Sequence, residues 1–174
     1  PGLSPITLSQ RAWETVRARA SKVQSWYLDL TLLEKYWGKE RIYHHTVPMN
    51  MIYALREALR MALEEGLEAR IARHHRNASA LRDGLEAMGL RLFAALEVRA
   101  DPLTSVLVPD GVDELAVRRR LLQEFDIEIG GGLGRMRGRV WRVGLMGETS
   151  REANVLLFLS ALERVLAIQG YKVP

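Results

Sequence analysis

The sequence predicts an α/β fold in which helices pack on a compact sheet of about four strands. Three observations lead to this prediction. The composition is that of an ordinary globular protein, with 174 residues of which 48% are hydrophobic and 26% are charged. Apolar residues recur at three and four positions as far as residue 88. From Leu90 onward, short β-type runs alternate with helical patterns, which is typical of helices covering a sheet.

Two short helices are predicted first. Residues 8–22 form one of them, with the hydroxyl of Ser9 as its N-cap. Ser25–Glu34 carries the second helical pattern, and Trp37-Gly38 ends it. Residues 1–70 together are expected to form a separate, mostly helical segment. We judge its apolar residues too few for the core of a separate domain, so we expect it to pack on structure outside the chain.

The clearest helix begins at Pro48, since proline is tolerated in a first helical turn. Apolar residues then recur with helical spacing. The same spacing continues through Gly66 to about Met88, so one long helix is predicted. Gly89 is expected to end it.

Strands and helices alternate in the rest of the chain. A helix is predicted for Val112–Phe125, and the last helix is predicted to begin at Ser150, whose hydroxyl is a good N-cap. The strand candidates are Leu90–Phe93, Thr104–Val108, Ile127–Ile129 and Arg139–Leu145.

Composition and charge exclude several classes of protein. With no cysteine, a disulfide scaffold and a thiolate metal site are excluded. The longest apolar run, Val155–Leu159, is too short to cross a bilayer. We therefore expect a soluble protein without a membrane partner. A cytoplasmic location is a separate expectation. The net charge is only +4, and the basic cluster lacks interleaved aromatic residues, so nucleic-acid binding is the weakest hypothesis.

The four histidines form two adjacent pairs, His44-His45 and His74-His75. Adjacent side chains diverge on a helix or a strand, so neither pair has the spacing of metal ligands, and we expect no metal site. The second pair stands between Arg73 and Arg76, which predicts a solvated helix face.

Arg142 is the first candidate binding residue. Alternation in the predicted strand puts it on the face opposite Trp141 and Val143, beside the empty position of Gly144. A guanidinium in such a space can hold a carboxylate by two parallel hydrogen bonds. The alternative is a solvent-exposed arginine on an amphipathic strand.

Tyr43 and Thr46 form a second candidate site, just before the long helix. Thr46 lies where an N-cap is expected, and a helix N-terminus together with two hydroxyls can bind a phosphate. The alternative is that Thr46 only caps the helix. The glycine run Gly130–Gly134 fits neither a P-loop nor a dinucleotide fingerprint, and it predicts close backbone approach or a flexible loop.

Three segments, taken in their order along the chain, indicate a family: Pro1–Ser4, Tyr43–Thr46, and Ile127–Gly134 followed by Trp141–Gly147. Together they resemble the C-terminal half of the alanine–glyoxylate and serine–pyruvate aminotransferases. These are class V enzymes of fold type I that use pyridoxal 5'-phosphate. The resemblance extends over essentially the whole chain. Gly130 departs from it, because some relatives carry a larger residue there.

The resemblance implies a division of the chain and a role for each candidate. Residues 1–70 would be the end of the large domain and the long interdomain helix, and residues 71–174 a small α/β domain with a mainly antiparallel sheet. Arg142 would hold the substrate α-carboxylate. Tyr43 and Thr46 would contact the cofactor phosphate of the neighbouring subunit in a homodimer.

The resemblance also implies that the catalytic lysine is not in this chain. In the family the Schiff-base lysine stands upstream of the Pro-Gly segment, and none of the four lysines here has that context. The leading hypothesis is therefore the C-terminal half of an enzyme that transfers an amino group from alanine or serine to glyoxylate or pyruvate, inactive without its upstream half. The second is a non-enzymatic α/β module that binds a ligand or a partner.

Overall fold

The computed structural model describes residues 2–174, so Pro1 of the Pro1–Ser4 motif lies outside the described residues. The chain forms two compact units, one ending at Glu64 and the other comprising Glu65–Pro174. Three helices and a small antiparallel sheet make up the second unit. The predicted α/β fold class is confirmed. The boundary at residue 70, which concerns the domains of a longer protein, stays a prediction.

The first helix, α1, is Gln10–Arg17. Ser9 caps it as predicted, because its hydroxyl accepts a hydrogen bond from the N–H of Ala12 at 3.2 Å. The predicted range of 8–22 is too long. α1 buries none of its residues, and helical turns without a packed face gain little stability from hydrogen bonds alone.

The second helix, α2, is Leu30–Trp37, so the predicted range Ser25–Glu34 is wrong. The preceding residues form only a short 3-10 turn. Asp29 has extended backbone, and its carboxylate accepts a hydrogen bond from the N–H of Thr31 at 3.0 Å, which begins a new helix. Gly38 follows the last residue of α2, as predicted.

The single long helix predicted for residues 48–88 is two helices, α3 (Met49–Glu65) and α4 (Leu67–Ala87). Gly66 separates them with φ 83° and ψ 138°. This conformation lies outside the helical region, and glycine reaches it without a steric penalty. Gly89 follows α4 with φ 78°, as expected for a glycine that ends a helix.

α3 buries none of its residues. Among the described residues before Ala78, no hydrophobic side chain is buried. The exposed large hydrophobic residues of α3 are Met49, Met51, Tyr53, Leu55, Leu59 and Leu63. Residues 2–64 therefore form a unit without a buried hydrophobic core, although they contain many apolar side chains.

The sheet has three antiparallel strands in the order β1-β3-β2. Their ranges are Leu103–Leu107 for β1, Gly130–Gly131 for β2 and Val140–Gly144 for β3. Helix α5, Glu114–Phe125, connects β1 to β2, and helix α6, Glu152–Ile168, follows β3. The mainly antiparallel sheet implied by the resemblance is confirmed.

Two predicted strands are wrong. Leu90–Phe93 contributes a single bridge between Leu92 and Val106. Ile127–Ile129 is not a strand, because the backbone that pairs with β3 is that of the following Gly130–Gly131. The side chains of Ile127 and Ile129 pack on the core. A strand made of two glycines carries no alternation from which it could be predicted.

The hydrophobic core lies on one side of the sheet, among α4, α5 and α6. Trp141 of β3 is 1% exposed, and its indole N–H donates a hydrogen bond to the carbonyl oxygen of Glu114 at 3.3 Å. Because side chains alternate along a strand, Arg142 lies on the opposite face. Other large hydrophobic side chains that are fully buried are Leu81, Leu85, Val106, Val117, Leu121, Leu162, Val165 and Leu166.

The change Gly132→Ala is expected to destabilise the second unit by about 1–3 kcal/mol. A Cβ at position 132 would lie 2.0 Å from the carbonyl oxygen of Met136, so the turn between β2 and β3 would have to shift. Urea unfolding measures the loss. Gly144→Ala is the matched control, because a Cβ there meets only Met146 at 3.6 Å. Equal losses in the two variants would contradict the prediction.

Candidate functional site

Arg142 lies in the middle of the central strand, opposite Ser105 of β1 and Gly130 of β2. The side chain is half-buried. Its Nε–H donates a hydrogen bond to the carbonyl oxygen of Gly131 at 2.8 Å. This bond holds the guanidinium over β2, and neither terminal nitrogen has a hydrogen-bond partner within residues 2–174.

No carboxylate of the described residues forms an ion pair with Arg142. Glu114, which lies close to Gly131, is bound by Arg118 instead. A guanidinium has five N–H donors, and one of those of Arg142 is used by Gly131. The remaining donors can hold an external carboxylate through two parallel bonds, as the sequence analysis predicts for this residue.

Gly130 lets this guanidinium lie close to the backbone of β2. A Cβ at position 130 would lie 3.1 Å from Nη2 and 3.4 Å from Nε of Arg142, so a larger side chain would crowd both. At Gly132 the backbone approaches Met136 closely, which confirms the first of the two predictions for the glycine run. The role of Gly130 could not be inferred from the sequence, because it depends on which residue pairs with Arg142.

Tyr43 and Thr46 come together in the first unit. Their hydroxyl oxygens lie 3.0 Å apart, and both side chains are exposed, Tyr43 to 70%. In such a pair one hydroxyl donates to the other, and the second hydrogen can donate to an added group. The two residues can therefore present hydroxyls to an anion.

The prediction that Thr46 caps the long helix is wrong. α3 begins at Met49. The carbonyl oxygen of Pro48 accepts hydrogen bonds from the N–H groups of Met51 and Ile52 at 2.9 and 3.1 Å. Thr46 lies three residues before the helix, and within residues 2–174 its hydroxyl is bonded to that of Tyr43 alone. The contribution of a helix N-terminus to this site is thus not supported.

Side chains of α4 hold the loop that follows β3. The guanidinium of Arg73 donates to the carbonyl oxygens of Gly147 and Ser150 at 3.0 and 2.5 Å. The amide of Asn77 donates to the carbonyl oxygen of Ser150 at 2.7 Å. His74 accepts a hydrogen bond from the N–H of Gly147 at 3.0 Å. The strand that carries Arg142 is therefore followed by an anchored turn.

These contacts correct two predictions from the sequence. His74 is not part of a solvated helix face, because it is half-buried against the loop; His75 is exposed and lies 3.1 Å from Asp101. Ser150 is not the N-cap of α6, which begins at Glu152 after Arg151. Ser150 is fully buried against Asn77 instead, so its position in the core overrides its capping preference.

Glu65 is expected to make the second unit less stable in acid. Hydrogen bonds from Arg73, and secondarily from Arg70, lower the pKa of Glu65 from 4.5 to about 2. Because the folded-state pKa is lower, the ionised carboxylate stabilises the unit above pH 4.5, and this contribution is lost as the pH falls toward 2. Urea unfolding of the wild type and Glu65→Gln across this range measures it.

The advantage of the wild type over Glu65→Gln should shrink steadily as the pH falls through this window. The control is Glu68→Gln, which removes an exposed carboxylate from the first turn of α4. An advantage that does not change with pH would contradict the prediction.

No helix within residues 2–174 combines the length and the apolar character needed to span a membrane. The same residues contain no group of three or more histidine and carboxylate side chains suited to holding a metal ion.

Comparison with known proteins gives no matching family model, but close relatives. The (S)-ureidoglycine–glyoxylate transaminase of Bacillus subtilis is 40% identical over 183 residues, which cover 95% of this chain and 44% of the relative. The alanine–glyoxylate aminotransferase of Drosophila melanogaster is 39% identical over 175 residues, which cover 98% of this chain and 44% of the relative.

A solved structure is similar over the same part of the chain. The alanine–glyoxylate aminotransferase from Nostoc sp. is 54% identical and has a TM-score of 0.88; the match covers 92% of this chain and 42% of that one. The chain thus spans less than half the length of each of these relatives. It matches their C-terminal part.

Proposed function

Since this chain belongs to the class V aminotransferases of the alanine–glyoxylate type and corresponds to their C-terminal part, we propose that it is one half of a pyridoxal-phosphate transaminase. The upstream half carries the Schiff-base lysine. The enzyme transfers the amino group of alanine or serine to glyoxylate or pyruvate. Residues 1–70 complete the large domain and the interdomain helix, and residues 71–174 form the small domain.

One observation carries the proposal most directly: the half-buried guanidinium of Arg142 has one hydrogen-bond partner in the described chain, the carbonyl oxygen of Gly131. The bond from Nε to Gly131 orients the guanidinium, and the absence of a side chain at Gly130 lets Nη2 lie close to β2. With no internal acid to neutralise it in the described chain, the positive charge is available for the carboxylate that amino acids and 2-oxo acids share.

Arg142 contributes to the reaction by orientation. A carboxylate gripped by two parallel hydrogen bonds cannot rotate freely, so the bond from the α-carbon to hydrogen is held in one direction. Pyridoxal phosphate, when bound, accepts the electrons that remain when the α-hydrogen leaves as a proton. Arg142 itself binds and orients the substrate and transfers no proton.

Tyr43 and Thr46 fit the phosphate of that cofactor. Their hydroxyls, 3.0 Å apart and exposed, can donate hydrogen bonds to phosphate oxygens. We assign this contact to the cofactor of a second subunit, so that the active enzyme is a homodimer. The exposure of both side chains leaves them accessible to such a subunit.

The complete protein that contains this chain tests the proposal. Incubated with pyridoxal phosphate, alanine and glyoxylate, it should form pyruvate and glycine in equal amounts, and the bound cofactor should show its visible absorbance band. Serine with pyruvate is the second substrate pair. A protein that neither binds the cofactor nor exchanges the amino group would favour the alternative, a non-enzymatic α/β binding module.

Mixed dimers test the contact between subunits. One variant is Arg142→Ala, and the other carries Tyr43→Phe with Thr46→Val. If the contact crosses the interface, a mixed dimer has one site with all changes and one site with none, so mixing two weak variants should restore activity. Activity that stays at the level of the separate variants would place all three residues in one subunit's site.

A cytoplasmic location belongs to the same proposal. Fractionation of cells that express the complete protein tests it. Recovery of the enzyme in an organelle or a membrane fraction would overturn that part.

A further inference from the structure

His44 and His45 stand between the two hydroxyl residues of the proposed phosphate site. His44 is only 6% exposed, although no hydrophobic residue of the described part of this unit is buried. Its ring stacks on that of Trp26, with centroids 4.2 Å apart and planes at 15°. The two histidine rings meet edge-on, with their Nδ1 atoms 2.8 Å apart.

The contacts of this pair limit how many protons it can bind. Nε2 of His44 lies 3.1 Å from the carbonyl oxygen of Trp26, which only accepts hydrogen bonds, so this nitrogen carries a hydrogen. One hydrogen also stands between the two Nδ1 atoms. The single remaining position is Nε2 of His45. The pair can therefore take up one further proton without losing either contact, and its charge is then +1.

Aromatic rings lie around the pair. The rings of Tyr27 and Tyr36 flank His45, with centroids 5.1 and 5.4 Å away. Tyr36 also contacts the ring of Tyr43 edge-on at 6.0 Å. The carboxylate of Asp29 interacts with His44: the Thr31 hydroxyl chiefly, and His44 to a lesser extent, lower the pKa of Asp29.

From this arrangement we propose that His44 and His45 are positioning residues for Tyr43 and Thr46, and that the one proton the pair can gain strengthens binding of the cofactor phosphate. The inference rests on the proposed function. Stacking on Trp26 and the two ring hydrogen bonds fix the backbone between the hydroxyl residues. A positive charge beside a phosphate stabilises its bound form, and imidazoles ordinarily titrate between about pH 5 and 8.

Two substitutions separate position from charge. In His45→Asn the amide N–H can still donate to Nδ1 of His44, but the position on Nε2 of His45 that takes up the further proton is lost. His45→Ala removes the donor as well. His75→Gln is the matched control, because it changes an exposed histidine of the other pair. The measurement is the Kd of the complete protein for pyridoxal phosphate, and for pyridoxal without phosphate, across that pH range.

The Kd of His45→Asn for pyridoxal phosphate is the reference at each pH. Relative to this reference, the Kd of the wild type and of His75→Gln should rise about fivefold from the acid to the basic end of the range. His45→Asn should equal the wild type at the basic end. His45→Ala should bind pyridoxal phosphate about tenfold more weakly at every pH, with pyridoxal binding unchanged.

Each other outcome has a definite meaning. A wild-type pH profile in His45→Asn, or equal weakening of both ligands in His45→Ala, would overturn this inference while leaving the transaminase intact. If His45→Ala does not fold, His45→Asn alone decides. Failure of the wild type to bind pyridoxal phosphate would overturn the proposed function itself.

Discussion

In the complete enzyme, Arg142→Ala is expected to raise the KM for the amino donor about a hundredfold or more, while the absorbance of the bound cofactor stays unchanged. Each hydrogen bond to a charged group contributes roughly 1.5–3 kcal/mol, and a carboxylate held by two of them loses both. Because the half-buried guanidinium faces no internal acid in the described chain, its removal leaves no buried charge unpaired. The loss should therefore appear in substrate binding rather than in folding.

Steady-state kinetics with alanine and glyoxylate measure this effect. Arg142→Lys is the informative control, because an ammonium keeps the charge but cannot form the two parallel bonds. The KM of Arg142→Lys for the amino donor should lie between that of the wild type and that of Arg142→Ala. Unchanged kinetics in Arg142→Ala would remove the assignment of this residue to the substrate carboxylate.

The second large effect is expected for Trp141→Ala, which should lower the free energy of unfolding of the second unit by about 3–5 kcal/mol. The side chain is 1% exposed, so its loss opens a cavity in the core. The substitution also removes the hydrogen bond that the indole N–H donates to the carbonyl oxygen of Glu114 at 3.3 Å. Urea unfolding followed by far-ultraviolet circular dichroism measures the change.

Two variants separate the causes. Trp141→Phe keeps most of the buried ring but loses the hydrogen bond, so a loss of about 1–2 kcal/mol is expected. Trp37→Ala removes a tryptophan that is 58% exposed in the first unit, and it should leave the second unit's stability nearly unchanged. Equal effects of Trp141→Ala and Trp37→Ala would contradict the assignment of Trp141 to the core.

Sequence periodicity best predicts the direction of a side chain where the strand that carries it has one buried face. The face of Arg142 follows from Trp141 and Val143 on either side of it, and the structure confirms that alternation. The acceptor of its Nε–H could not be predicted, since β2 consists of two glycines without any pattern. The interpretation of Arg142, Tyr43 and Thr46 as substrate and cofactor residues stays a prediction.

The sequence was least informative where tertiary contacts decide local structure. Apolar spacing continues on both sides of Gly66, so the break between α3 and α4 is not visible in it, and only the φ of 83° reveals it. Ser150 and Thr46 have the residue types of N-caps, but one is bonded to Asn77 in the core and the other to Tyr43. Residue type predicts what a side chain can bond, and the fold selects the partner.

The uncovered apolar residues of α3 have a consequence for the temperature behaviour of this chain when no other polypeptide covers them. Association through such residues is driven by release of water, and that driving force weakens on cooling. The separate chain should therefore remain dispersed longer in the cold and cluster with its own copies on warming.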